Sequence, residues 1–265
     1  MIFKQVAVVT KLQAKDIRPQ TRRTHHKTLK DVTQFLKKLE VPFRVLDRSR
    51  LKKIIGADLI ITVGGDGTVL AASHHSEGTP IFGINSAPQT STGFFCLAGP
   101  KNFKRHLKKI MTGKRKPKLI PRLVVFLGKR RLTPFGLNEL LFASRLQGET
   151  ARYWICLGRK KEWQKSSGVW VSTGAGSTGA IHSAGGKPCP LLSTKLQYLV
   201  REACRFPKNN YHLLQGFLNA GRTIKIISGI EEGTVFIDGG KWHYRVPKNG
   251  VITVRGGVSP LPIFL

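Results

Sequence analysis

Carboxylates are the scarce residue in this chain. Its 265 residues carry 14 Asp and Glu against 45 Lys and Arg, a formal net charge of +31. A field of that size attracts polyanions whatever the fold. Nucleic acid, an acidic membrane surface and small phosphorylated substrates, polyphosphate included, all fit, and so does a plain solvated basic surface. Cysteine is sparse as well. Cys96, Cys156, Cys189 and Cys204 form no C-x-x-C pair and show no metal-ligand spacing, which argues against a zinc site or a disulfide framework. Reduced, mostly buried thiols in an intracellular protein are expected. Long apolar runs are missing too. The amino terminus passes within five residues into Val6-Ala7-Val8-Val9, too short for a secretory core, and no stretch approaches a membrane span. The expectation is a cytoplasmic protein with no membrane contact. Nor is there a helix-turn-helix, zinc-finger or aromatic RNA-binding signature. The basic residues are spread along the chain, so a nucleic-acid partner is not expected.

What is present is 40% apolar residues and 28 glycines, a composition suited to a globular α/β or β-rich protein. Asp58-Leu59-Ile60-Ile61-Thr62-Val63 runs into Gly64-Gly65-Asp66-Gly67-Thr68 and then Val69-Leu70-Ala71-Ala72-Ser73. This reads as a buried strand, a glycine turn and a helix start. Glycines let the backbone approach an anion closely, and amides at a helix start point at it with the helix dipole behind them. A carboxylate inside such a cradle repels phosphate unless it takes a proton from an attacking hydroxyl or holds a metal. The same residues also suit an Asx-type turn.

Val6 to Val9 reads as a strand, Thr24 to Glu40 as an amphipathic helix with Leu29, Val32, Phe35, Leu36 and Leu39 on its apolar face, and Pro42 to Leu46 as a second strand. His25 and His26 are expected on the helix surface. With Asp58 to Val63 and Pro80 to Asn85 as further strands, the alternation predicts a parallel sheet with crossover helices. The glycine turn then falls at the carboxyl ends of the strands, where open α/β sheets place ligands. Asn85 and Gly93-Phe94 are expected at the same edge. Lys101 to Lys118, helical to about Met111, leads out of this part.

Beyond Pro121 the pattern changes to short strands separated by turn residues, at Leu123–Leu127, Tyr153–Leu157, Val169–Val171, Thr223–Ile227, Thr234–Ile237 and Val251–Val254. One helical candidate lies at Leu196 to Arg205. The fold class expected is therefore an α/β amino-terminal domain with a parallel sheet, residues 1–100, and a mostly antiparallel β domain, residues 101–265. Asn138-Glu139 follows a turn and could bond a ribose or base edge, or serve the turn alone. Ser172-Thr173-Gly174-Ala175-Gly176-Ser177-Thr178-Gly179, directly after a strand and followed by Ala180-Ile181-His182-Ser183-Ala184-Gly185-Gly186, reads as a neutral cradle for sugar hydroxyls and phosphate oxygens.

Taken in order, Gly64 to Thr68, Asn138-Glu139, Ser172 to Thr178 and Ser183 to Gly186 resemble the NAD kinase family. The third motif is specific to it, whereas the first alone also suits lipid kinases of the diacylglycerol and sphingosine type. Lys165-Ser166-Ser167-Gly168 and Leu196 to Glu202 look most like the plant-type NADH kinase branch. The likeness covers Asp58 to Asp238. It implies an α/β domain and a β-rich domain with the dinucleotide bound between them, and a phosphoryl transfer from ATP, with Mg²⁺, to the adenosine 2′-hydroxyl of NAD or NADH. The +31 charge adds polyphosphate as a second expected donor. By motif position, Asp66 is the general base, and Gly64, Gly65, Gly67, Thr68 and Phe94 lie at phosphates and nucleotide. Asn138, Glu139, Ser167, Ser177, Thr178, Gly179, Ala180, Ser183 and Asp238 hold the dinucleotide. No protein metal ligand is assigned. A homodimer or tetramer is implied. Many members have Asp at Ser167 and Thr-Ala-Tyr at Thr178-Gly179-Ala180, so this chain lacks one carboxylate and one ring of that pattern.

No G-x-x-x-x-G-K-[ST] sequence is present, so the phosphates must be held by the glycine-turn amides and a divalent ion. Two other readings remain at this point: a lipid kinase sharing the Gly64 to Thr68 motif, and a non-catalytic protein binding a dinucleotide or nucleic acid.

Overall fold

The computed structural model describes residues 2–146, 148–204 and 210–265. Two compact units emerge, residues 1–119 with 261–265 and residues 120–260. The division thus lies some way beyond the residue 100 expected from the change in sequence pattern, because α3 (Phe103–Met111) buries Phe103, Leu107, Ile110 and Met111 in the core of the first unit.

In the first unit, β1 (Val6–Thr10), β2 (Phe43–Asp47), β3 (Leu59–Gly64) and β4 (Ile81–Asn85) pair in parallel in the order β2-β1-β3-β4. Helix α1 (Arg22–Lys38) and the short α2 (Asp66–Ser73) make the crossovers. Strands β1, β3 and β4 are buried along their whole length, which is why they read as unbroken apolar runs rather than alternating ones. Against them pack Val32, Phe35 and Leu36 of α1. Burying an aliphatic side chain of this kind contributes about 1.5–3 kcal/mol. His25 is a correction: it lies 3% exposed on the inner face of α1, not on the surface.

The second unit is a sandwich of two antiparallel sheets. One contains β5 (Lys118–Leu127), its short partner β6 (Arg130–Arg131), and β8 (Ala151–Leu157), β9 (Lys160–Ser166), β13 (Thr223–Ser228) and β16 (Val251–Phe264), in the path β16-β13-β8-β9. The other runs β12-β11-β10-β7-β14-β15, made of β7 (Glu139–Ser144), β10 (Gly168–Ser172), β11 (Leu196–Arg201), β12 (Gln215–Leu218), β14 (Gly233–Ile237) and β15 (Trp242–Val246). Tyr153, Ile155, Ile224, Ile226 and Ile252 of the first sheet meet Leu140, Phe142, Val171, Tyr198 and Val235 of the second in one core. Strand β16 extends past the expected Val254; its last residues belong to the first unit, where Ile263 and Phe264 pair with Ile81 and Phe82 of β4.

The expected helix at Leu196 to Arg205 is overturned. Leu196–Arg201 is a central strand, paired to β10 and β12, and Arg205 lies outside the described residues. Leu196, Tyr198 and Val200 face the core while Gln197 and Leu199 are buried on the other face. A run buried on both sides carries no period that separates strand from helix. Each of the four cysteines is half-buried rather than buried.

Candidate active site

In the first unit the glycine turn leaves the carboxyl end of β3, with Gly65 at the N-cap of α2 and Asp66 as its first residue. Close packing crowds the first two glycines. A Cβ on Gly64 would lie 2.2 Å from Thr68 Oγ1, and one on Gly65 2.3 Å from Ser91 Oγ. Asp66 Oδ1 accepts the Phe95 N–H at 2.8 Å. The chain reaches that bond through Gly93, at φ +65 and packed on the Asn85 side chain. The neighbouring Phe94 ring is left 41% exposed.

Gly64 to Thr68 line a cavity of about 280 Å³ whose other walls include Lys11, Arg18, His25 and Arg48. Arg48 follows β2 directly, and its Nη1 lies so close to the turn that a Cβ on Gly67 would meet it at 3.2 Å. Burial, and then the charge of Arg48, hold the Lys11 ammonium below its usual range. Asp66 is the one carboxylate among the described lining residues. His25 bonds through Nε2 to Thr10 Oγ1 (3.1 Å) and the Lys11 carbonyl (3.1 Å), and through Nδ1 to Ser86 Oγ (2.9 Å). Thr10 Oγ1 donates to the Val63 carbonyl, so Nε2 is the donor and Nδ1 accepts from Ser86. Burial lowers the His25 pKa, in keeping with a neutral ring. Thr68 Oγ1 is buried without a partner. The wall therefore offers cations, amides and one base.

In the second unit Asp238 organises the other group. It sits at φ +50 after β14, and its carboxylate accepts the N–H groups of Leu137 (2.8 Å), Asn138 (2.8 Å) and Glu139 (3.1 Å). Glu139 begins β7. Burial, and then the charge of Asp238, push its carboxyl up to about 7. The segment after β10 folds over Asn138 so tightly that a Cβ on Gly176 would lie 2.2 Å from the Asn138 carbonyl. Gly179 comes near the Glu139 carboxylate.

The hydroxyls of this segment divide into two sets. Thr173 Oγ1 donates to the Leu137 carbonyl at 2.6 Å, and Ser177 Oγ donates to Gly174 O at 2.7 Å while accepting the Cys189 N–H at 2.8 Å. These, with Ser172, are buried and hold the loop's shape rather than its opening. Thr178, Gly179, Ala180 and Ser183 are exposed, the last two at the ends of the single-turn helix α4 (Ala180–Ser183). Asn138 Oδ1 and Gln197 Oε1 are buried with no partner. A neighbouring cavity of about 530 Å³ is lined by Glu139, Ser167, Leu141, Trp170, Phe236 and Arg201, among others.

Each sequence-predicted residue thus falls into one of two groups. Gly64, Gly65, Asp66, Gly67, Thr68 and Phe94 gather in the first unit. Asn138, Glu139, Ser167, Thr178, Gly179, Ala180, Ser183, Ser177 and Asp238 gather in the second. Asp238 and Ser177 shape the backbone of their group. Sequence reasoning missed Lys11, Arg18, His25 and Arg48. Lys11 and Arg48 carried one usable signal: each stands just beyond the carboxyl end of a parallel strand.

A parallel α/β unit that presents a carboxylate at a glycine-turn helix start, and a β-rich unit that offers a small-residue loop, define a nucleotide phosphotransferase without a Walker loop. The family model "ATP-NAD kinase N-terminal domain" matches residues 5–115. An NADH kinase of Arabidopsis thaliana is 30% identical over 267 residues, 92% of this chain and 84% of that one. A probable NADH kinase of Oryza sativa subsp. japonica is 29% identical over 269 residues, 92% and 82% of the two chains. Among solved structures, an NAD kinase from Archaeoglobus fulgidus in complex with ATP superposes with a TM-score of 0.77 at 26% identity, covering 98% of this chain and 93% of that one. The chain belongs to the NAD kinase family, a family of phosphotransferases. The lipid-kinase reading finds no support among these relatives.

Proposed function

We propose that this protein transfers a phosphoryl group from ATP or polyphosphate to the 2′-hydroxyl of the adenosine ribose of NAD or NADH. The observation that carries the reading is the placement of Asp66. Its Oδ1 is held by the Phe95 amide, which leaves Oδ2 for the substrate hydroxyl, in a cavity otherwise walled by cations and amides. Phosphoryl transfer needs an aligned nucleophile and neutralised oxygens more than covalent help. Asp66 takes the hydroxyl proton. The amides at the start of α2 and the side chains of Lys11, Arg18 and Arg48 bind the donor phosphates. Thr68 Oγ1 supplies a further hydrogen bond. In the second unit Asn138 and Glu139, fixed by Asp238, hold the nucleoside, with Ser167, Thr178, Gly179, Ala180 and Ser183 around it.

No group of three or more His, Cys, Asp or Glu side chains that could cage a metal occurs among the described residues. One carboxylate with phosphates and waters suits Mg²⁺, which seldom takes an all-protein cage. The ion would enter with the donor and neutralise its charge, and Asp66 is the carboxylate of this cavity that could help to hold it.

Among the described residues no helix is long and apolar enough to cross a membrane. A cytoplasmic setting, expected from the sequence, and a homo-oligomer, supported by the family's habit, belong to the same proposal. The test crosses NAD and NADH with ATP and polyphosphate in a Mg²⁺ assay for NADP or NADPH. Product in any combination supports the kinase and names its substrates. Four blanks with the dinucleotide still bound would leave a binding protein.

A further inference from the structure

Five basic residues that lie far apart in the sequence come from four strands to share one face of the second unit. In the sheet path β16-β13-β8-β9, inward positions fill the core, and the register fixes what shares the outward face. Trp163 lies opposite Trp154, Trp154 opposite Ile227, and Ile227 opposite Val251. These four residues form a row across four strands, about 14 Å long at the usual strand spacing. On one side of it runs a row containing Lys161, Cys156, Lys225 and Thr253, with Arg255 one step further along β16. On the other side Lys165 pairs with Arg152. None of these described positions carries a carboxylate. Glu162, the one acid of β9, points away and accepts the His212 and Leu213 amides.

The aromatic row is built, not incidental. Trp163 is 39% exposed and seated on Gly229, where a Cβ would lie 2.4 Å from its Cη2. Its ring meets that of Trp154 edge-on at 5.2 Å. Lys161 Nζ lies 4.3 Å from the Trp154 ring centroid. An apolar row with an exposed ring, flanked on both sides by cations, matches a polyanion that carries its own stackable rings.

We propose that this face is a platform for single-stranded nucleic acid, with bases stacking along Trp163 and Trp154 and phosphates running past Lys161 and Lys225 on one side and Arg152 and Lys165 on the other. Lys161 and Lys225 stand two strand steps apart, about 10 Å, so each meets its own phosphate. A second copy of the chain would bring these cations against their like. A bilayer calls for side chains that protrude, whereas the seated Trp163 lies close to the sheet.

The test is fluorescence anisotropy of a labelled twelve-residue oligothymidylate with the full-length protein between 50 and 200 mM salt. Trp163→Ala should weaken binding about tenfold, and Trp163→Phe should restore most of the loss, since stacking is worth this much per base. Lys161→Glu with Lys225→Glu should flatten the slope of log affinity against log salt by about 1.4, the share of two phosphates on a single strand. Lys37→Glu with Lys38→Glu, on exposed positions of α1, makes the same charge change elsewhere and should leave the slope near that of the parent. NADP-forming activity, retained in all four, reports folding. Equal loss from both lysine pairs would overturn the proposal in favour of bulk charge. Competition by phosphatidylserine vesicles but not by unlabelled oligonucleotide would overturn it in favour of a membrane surface. A change of oligomeric state in Trp163→Ala would overturn it in favour of self-association.

Discussion

Asp238 lies behind Glu139: its Oδ1 accepts the Glu139 N–H at 3.1 Å, and its charge, added to burial, helps push the Glu139 carboxyl up to about 7. A carboxyl with a folded-state pKa above its unfolded value of 4.5 gives stability that is complete below pH 4.5 and lost as pH rises through 7. The full loss is on the order of 3 kcal/mol. Glu139→Gln should flatten this part of the profile, so a plot of Tm against pH from 5 to 8 should fall for the parent and stay level for the variant. Parallel curves would remove Glu139 from the account.

Gly176 tests the loop that covers Asn138. Its Cβ would collide with the Asn138 carbonyl at 2.2 Å, and backbone at both ends of the contact leaves no side chain to swing aside. Gly176→Ala should cost about 1–3 kcal/mol of stability, as overpacking does, and raise the KM for the dinucleotide more than the KM for the donor. An unchanged dinucleotide KM would separate this loop from the nucleoside.

The cations of the first unit make the opposite prediction. Arg48, against Gly67, should act on the donor alone. Arg48→Ala should raise the donor KM about tenfold or more, the usual loss for a charged hydrogen bond, with little effect on dinucleotide affinity. If polyphosphate serves as donor, the loss should be greater with it than with ATP and shrink as added salt screens the cavity. A higher dinucleotide KM with an unchanged donor KM would reverse the roles assigned here.

Much of this was legible in the sequence, for identifiable reasons. The run from Leu59 to Gly64 followed by Asp66 carries its strand, turn and helix in consecutive residues, so local chemistry sufficed. Strand β9 was invisible: Lys160 to Ser166 holds one apolar residue, Trp163, and its pairing with β8 comes from the fold. The helix expected from Leu196 failed because β11 is buried on both faces. Arg48 and His25 were missed because the residues they serve lie far along the chain, at Gly67 and Ser86. Of the loop hydroxyls read as a ligand cradle, Thr173 and Ser177 are taken up by backbone carbonyls, of Leu137 and Gly174, which no local pattern shows.

The central claim rests on Asp66 as the group that accepts the 2′-hydroxyl proton. Asp66→Asn keeps the size of the side chain and an oxygen for the Phe95 amide, so the fold and the cavity should survive. The measurement is NADP or NADPH formation beside dinucleotide binding, for the parent and this variant in the same Mg²⁺ buffer. The account predicts unchanged binding with turnover reduced a hundredfold or more, as general-base loss entails. Turnover equal to that of the parent, with binding intact, would contradict it.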